Sequence, residues 1–78
     1  MRKIEGIPDN IVAEIDFMLG SIEVCNSEYM LPILKDHGIY PAGGWIDSDH
    51  VSDDVIRDIY KRLFESGFME PFYTVYGD

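Results

Sequence analysis

The chain has 78 residues, with 15 acidic side chains against 6 basic ones and a formal net charge of −9. That length holds one small core and one domain over 1–78, and 46% apolar with 13% aromatic residues is too rich for a disordered acidic tail. A polyanion is repelled by DNA, RNA and anionic membranes, so direct binding to any of them is excluded as the expected function.

Residues Arg2 to Ile7 read as a short extended entry. The first helix then starts around Pro8, a residue suited to the first helical position. Asp9, Asn10 and Glu14 place polar or negative groups near the positive end of the helix dipole. Ile11, Val12, Ile15, Met18, Leu19 and Ile22 recur with the period of one helix face, and Glu14, Asp16 and Glu23 fall outside that stripe. Gly20-Ser21 weakens the helix, and the sequence leaves open whether it stops or bends there.

Ser27 is the expected cap of a second helix, in which Tyr29, Met30, Ile33 and Leu34 keep the helical spacing. Pro32 lies near its start, where a missing N–H costs least. Gly38 supplies a left-handed stop, with Ile39 placed to pack back on Leu34. Tyr40-Pro41-Ala42-Gly43-Gly44-Trp45-Ile46 is a loop around the only tryptophan. Trp45 is either the lid of a small core or a half-exposed anchor for a partner, since Trp and Tyr dominate interface hot spots.

The third helix has the fullest signature. Ser52 is its expected cap, Asp53 and Asp54 suit the dipole, and Val51 with Ile56 stands at hydrophobic-staple spacing. Val55, Ile56, Ile59, Tyr60, Leu63 and Phe64 form the core stripe. Gly67 closes the helix, and Phe68 is expected to fold back on Leu63. After Pro71, residues Phe72 to Tyr76 have strong β-propensity. The predicted fold is mainly α, a domain of about three helices with short extended termini. Those termini either pair, giving an α+β arrangement, or the tail packs across the helices.

Chemistry-bearing motifs are sparse. Asp47-Ser48-Asp49-His50-Val51-Ser52-Asp53 superficially resembles a calcium loop, but Val51 and Val55 take two ligand positions and Ser52 the place of the required glycine. Cys25, His37 and His50 each stand alone, without the close pairs of a metal motif, so no metal is expected. Acyl carrier proteins share the size and acidity, yet their attachment serine follows Asp and precedes an apolar residue, whereas Asp49 follows Asp47-Ser48. No cofactor is expected on that count. Nucleotide-binding and nucleophile motifs are lacking too, and a chain this short has little room to enclose a substrate, so the reading is non-enzymatic. Lone Cys25 favours a reducing, cytoplasmic setting. Met1 to Gly6 has no apolar run behind its two bases, so neither a signal peptide nor a membrane span is expected.

Charge is the remaining signal. Between Ile4 and Ile56 eleven acids face a single base, Lys35, a local charge of −10. Self-repulsion of this kind opposes a compact fold, and a surface that docks on a basic partner gives a reason to keep it. The expected contacts are Asp47, Asp49, Asp53, Asp54 and Asp58, with Glu14, Asp16 and Glu23 as a second acidic face and Trp45 or Tyr40 as the desolvated anchor. The expected partner is the basic surface of a nuclease, repressor, restriction enzyme or CRISPR effector, occupied as a nucleic-acid mimic would occupy it. Small anti-defence inhibitors of phages and mobile elements provide the analogy, which is one of size and charge. The competing expectation is an assembly subunit or homodimer that buries apolar helix faces.

Overall fold

The computed structural model of the chain describes residues 2–71. They are mainly helical, with α1 at Asp9–Leu19, α2 at Ile22–Cys25, α3 at Leu31–Asp36 and α4 at Asp53–Ile59. A 3₁₀ turn at Ser48–His50 precedes α4, and a π-helical segment at Tyr60–Glu65 continues it.

α1 begins one residue later than the proline rule suggests. Pro8 is the cap itself, and its carbonyl accepts from Ile11 N–H (3.0 Å) and Val12 N–H (3.1 Å). Ile11, Val12, Ile15, Met18 and Leu19 are buried, as their spacing predicts. At Gly20 the helix stops rather than bends. Ser21 takes an extended conformation and its Oγ accepts from Val24 N–H (3.3 Å), which opens the one-turn α2. This restart breaks the helical phase, so Ile22 leaves the stripe and is 56% exposed.

Ser27 organises the next entry. Its Oγ donates to Val24 O (2.6 Å) and accepts from Met30 N–H (3.2 Å), and α3 starts four residues on, with Pro32 in its first turn. The predicted stop at Gly38 is present in full. Gly38 has φ +73°, its N–H donates to Lys35 O (2.9 Å), and Ile39 N–H donates to Leu34 O (2.9 Å), the two bonds of a Schellman closure.

α4 carries the staple, with Val51 and Ile56 both buried. Ser52 occupies the cap position, but its hydroxyl makes no capping bond, contrary to expectation. The charges of Asp53 and Asp54 in the first turn, together with the staple, hold that end. In the π-helical segment Ser66 N–H reaches Lys61 O (3.1 Å), one residue further back than an α-helix would. The closure is displaced with it. Met69 N–H, not Phe68, returns to Leu63 O (2.8 Å), while Phe68 is 62% exposed and rests tilted against Tyr29 with ring centroids 5.8 Å apart.

Buried side chains from α1 to α4 and the π-helical segment form one cluster, with Val12, Ile15, Leu19, Cys25, Met30, Leu34, Ile56 and Ile59 at its centre. Ile4 and Ile7 join it from the N-terminal segment, which is a turn rather than a strand, with Ile7 N–H on Ile4 O (3.1 Å) and Gly6 at φ +88°. The expected strand at Phe72 to Tyr76, and hence its pairing, lies outside the described residues.

Candidate functional site

The acidic residues do not act as one uniform surface, because the fold uses several of them internally. At the entrance to α4 the Arg2 guanidinium donates to Val51 O (2.7 Å) and Ser48 O and pairs with Asp53 (3.0 Å). Asp53 is therefore locally compensated. Asp47 is an end-group for the 3₁₀ turn, its Oδ1 accepting from Asp49 N–H (3.0 Å) and its Oδ2 lying 4.0 Å from His50 Nε2. Asp58 is also engaged. One oxygen meets His37 Nε2 (2.8 Å) and the other accepts from Arg62 Nε (2.9 Å), while Arg62 Nη2 reaches Asp36 (2.8 Å). This network ties the end of α3 to the helix that carries Asp58. The hydrogen bond to Asp36, and then the nearby Asp58 charge, holds the Arg62 guanidinium still more firmly protonated than usual. Asp58 is thus a fastening between elements and only partly a surface charge.

The second acidic face is not assembled as expected. Glu14 is buried at 6% exposure, on the core side of α1. Asp16, about 200° further round the same helix, is half-buried with Oδ1 enclosed and without a hydrogen-bond partner among the described residues. Only Glu23, on α2, is exposed. Glu23, Asp49 and Asp54 are exposed and form no ion pair among the described residues.

The aromatic loop leads into the 3₁₀ turn at Ser48–His50. Pro41 to Gly44 forms a tight turn, with Gly44 N–H on Pro41 O (2.8 Å) and positive φ at both Ala42 (51°) and Gly43 (82°). Positive φ at both central positions is the mirror-image turn geometry, and alanine adopts it at a cost. The Asn26 side chain fixes the loop. Its Oδ1 accepts from Gly43 N–H (3.0 Å), and its Nδ2 donates to Gly44 O (2.9 Å) and Ile22 O (2.7 Å). On the other side Ile46 N–H donates to Leu19 O (2.8 Å). Between these fastenings Trp45 is 58% exposed, and Tyr40 is 67% exposed. Trp45 is therefore not the lid of the core. Ile46, beside it, packs on the core instead.

Cys25 lies beneath this loop, its Sγ bonded to Leu19 O (2.9 Å). Burial pushes the thiol pKa up, partly offset by the Ile46 backbone, so the group is a poor nucleophile. Cys25, His37 and His50 have separate partners at Leu19, Asp58 and Asp47.

Sequence reasoning missed Arg2, Asn26 and Ile22. Asn26 and Gly44 are 18 positions apart, and Arg2 meets partners 46 to 51 positions away. No local spacing rule reports such pairings. Ile22 could have been recognised from Gly20-Ser21, had that dipeptide been taken as a stop. No protein-family model, no curated protein and no solved structure matches the chain.

Proposed function

We propose that this protein is a small acidic binding module, an inhibitor or modulator that docks on the basic surface of another protein and carries out no chemistry of its own. The observation that carries this reading is the fastened loop, which leaves Trp45 58% exposed two residues before the half-exposed Asp47 carboxylate. An exposed aromatic on a backbone held at both flanks has the properties of an interface anchor. Unpaired carboxylates steer a basic partner and exclude an acidic one. A nucleic-acid-processing protein fits that description, with the acidic surface taking the place of phosphates in its binding cleft. Anti-defence inhibitors of phages remain the nearest analogy in size and charge, and a cytoplasmic setting suits the single buried thiol. Among the described residues no helix is long and apolar enough to cross a membrane.

The experiment is capture on immobilised protein at low salt, followed by elution with a salt gradient and, separately, with duplex DNA. A basic nucleic-acid-binding protein released by both treatments is the expected result. A second reading, assembly into a homo-oligomer, draws on exposed Phe17 (68%) beside an apolar groove of about 480 Å³ that includes Met18, Val24, Tyr29 and Met69. A stable dimer by light scattering, with nothing captured in the salt-sensitive fraction, would replace the first reading by the second.

A further inference from the structure

An exposed aromatic on a slack loop loses conformational freedom on binding, and that loss is subtracted from its contact energy. Trp45 largely avoids this cost. Its backbone is held at Gly43 and Gly44 by Asn26 and at Ile46 by Leu19, while the indole stays 58% exposed. Asp47, two residues on, has an extended backbone (φ −78°, ψ 110°). Exposure alternates along this stretch, with Trp45 outward, Ile46 on the core and Asp47 outward. With Ile46 turned to the core, Trp45 and Asp47 flank it on the outward side of the chain, two residues apart, a separation of about 6.5–7 Å for extended backbone.

The Asp47 carboxylate is oriented as well. Asp49 N–H holds Oδ1, and Oδ2 has His50 Nε2 at 4.0 Å. Its side chain is 46% exposed and open to a further donor.

A flat aromatic face with a carboxylate beside it suits a guanidinium better than an ammonium. The guanidinium is planar, so it can lie on the indole and direct its edge N–H groups at a carboxylate in the same pose. An ammonium is a compact, strongly hydrated charge and cannot satisfy both geometries together. We infer that the Trp45–Asp47 edge is an arginine-reading site, which docks an arginine of the basic partner with its guanidinium stacked on Trp45 and hydrogen-bonded to Asp47. The inference rests on the proposed function and narrows it from charge to side-chain chemistry.

The test uses blocked hexaarginine and hexalysine peptides, equal in charge, with the full chain at low ionic strength. Trp45 is the only tryptophan, so its fluorescence reports this site alone. Hexaarginine should perturb Trp45 emission saturably and bind about three- to tenfold more tightly than hexalysine, the range expected from one cation–π contact with a charge-assisted hydrogen bond. Trp45→Ala, followed by calorimetry, should bring the two peptides to equal affinity, and its exposure predicts unchanged helix content. Asp47→Asn retains an oxygen for Asp49 N–H and should also abolish most of the preference. Equal binding of both peptides to the native protein, or a preference that survives Trp45→Ala, would overturn the arginine site while the basic-surface reading stood. Failure of both peptides to bind the native protein would remove the basic-surface reading and this inference with it.

Discussion

Arg2→Met separates a structural fastening from an ordinary surface ion pair. Methionine keeps much of the aliphatic stem and removes every donor. The ion pair with Asp53 accounts for little of the effect, because Asp53 is 54% exposed and exposed pairs contribute about 0.2–1 kcal/mol. The bonds to Val51 O and Ser48 O differ in kind, since a charged donor meets backbone carbonyls at a part-buried site. Bonds to charged groups contribute about 1.5–3 kcal/mol when well enclosed, and partial exposure of Arg2 places these at or below the lower end. The substitution should therefore cost about 2–3 kcal/mol in total, from a stability of about 4–12 kcal/mol for a chain of this size. The expected fall in melting temperature is about 10–20 °C. Asp53→Asn should cost less than about 1 kcal/mol. Urea unfolding followed by circular dichroism measures both, and the gap between the variants should persist at about 1 M salt, where exposed pairs are screened. If Arg2→Met cost no more than Asp53→Asn, the carbonyl bonds would contribute nothing and the guanidinium would be a surface charge.

Leu63→Ala should cost about 2–5 kcal/mol, because Leu63 is buried in the π-helical segment; an unchanged melt would remove that segment from the core. Ser52→Ala should cost less than about 0.5 kcal/mol, below the usual loss for a capping serine, because its hydroxyl makes no cap bond; a loss near 1 kcal/mol would show that it caps after all. Cys25 makes an alkaline prediction. Its folded pKa is raised by burial, so its contribution to stability is full below the unfolded thiol value of about 8.5 and is lost as pH rises through the folded value. The Cys25→Ala variant should show a shallower decline in stability over that alkaline range, and identical slopes would refute the assignment.

The parts of the fold that were legible in the sequence are those governed by neighbours within one or two turns. Gly38 and Ile39 announce a Schellman closure through their distance from Leu34 and Lys35, and Val51 with Ile56 announces the staple; both are present. The apolar stripe of α1 holds as far as Leu19 and fails at Ile22, because Ser21 caps a new turn and resets the phase. One additional residue in the π-helical turn moves the return contact from Phe68 to Met69, a shift that composition does not signal. The candidate site was legible in its charges and its tryptophan, and illegible in how they are held. Glu14, Asp53 and Asp58 read as surface acids, yet tertiary packing buries the first and pairs the other two. The same packing supplies Asn26 and Arg2, whose roles depend on chain segments brought together only by the finished core.

This division among the acids decides how the charge-driven contact should be tested. Neutralising Asp47, Asp49, Asp53 and Asp54 together would mix general charge with particular contacts, because Asp47 is the proposed arginine contact and Asp53 is already paired with Arg2. Glu23→Gln, Asp49→Asn and Asp54→Asn instead remove three exposed charges with no ion pair to break among the described residues. Asp54 lies in the first turn of α4, so its loss should cost about 0.3–1 kcal/mol through the helix dipole and leave the helices intact by circular dichroism. Against a captured basic partner, association should slow several-fold while dissociation changes less, since unpaired rim charges act mainly on encounter. The salt dependence of binding should flatten, because fewer charges remain to be screened. Apolar assembly would respond differently: burial of Phe17 and its neighbours is insensitive to moderate salt, and the triple variant would associate as before. Unchanged affinity and an unchanged salt slope in the folded triple variant would place the contact surface away from Glu23, Asp49 and Asp54.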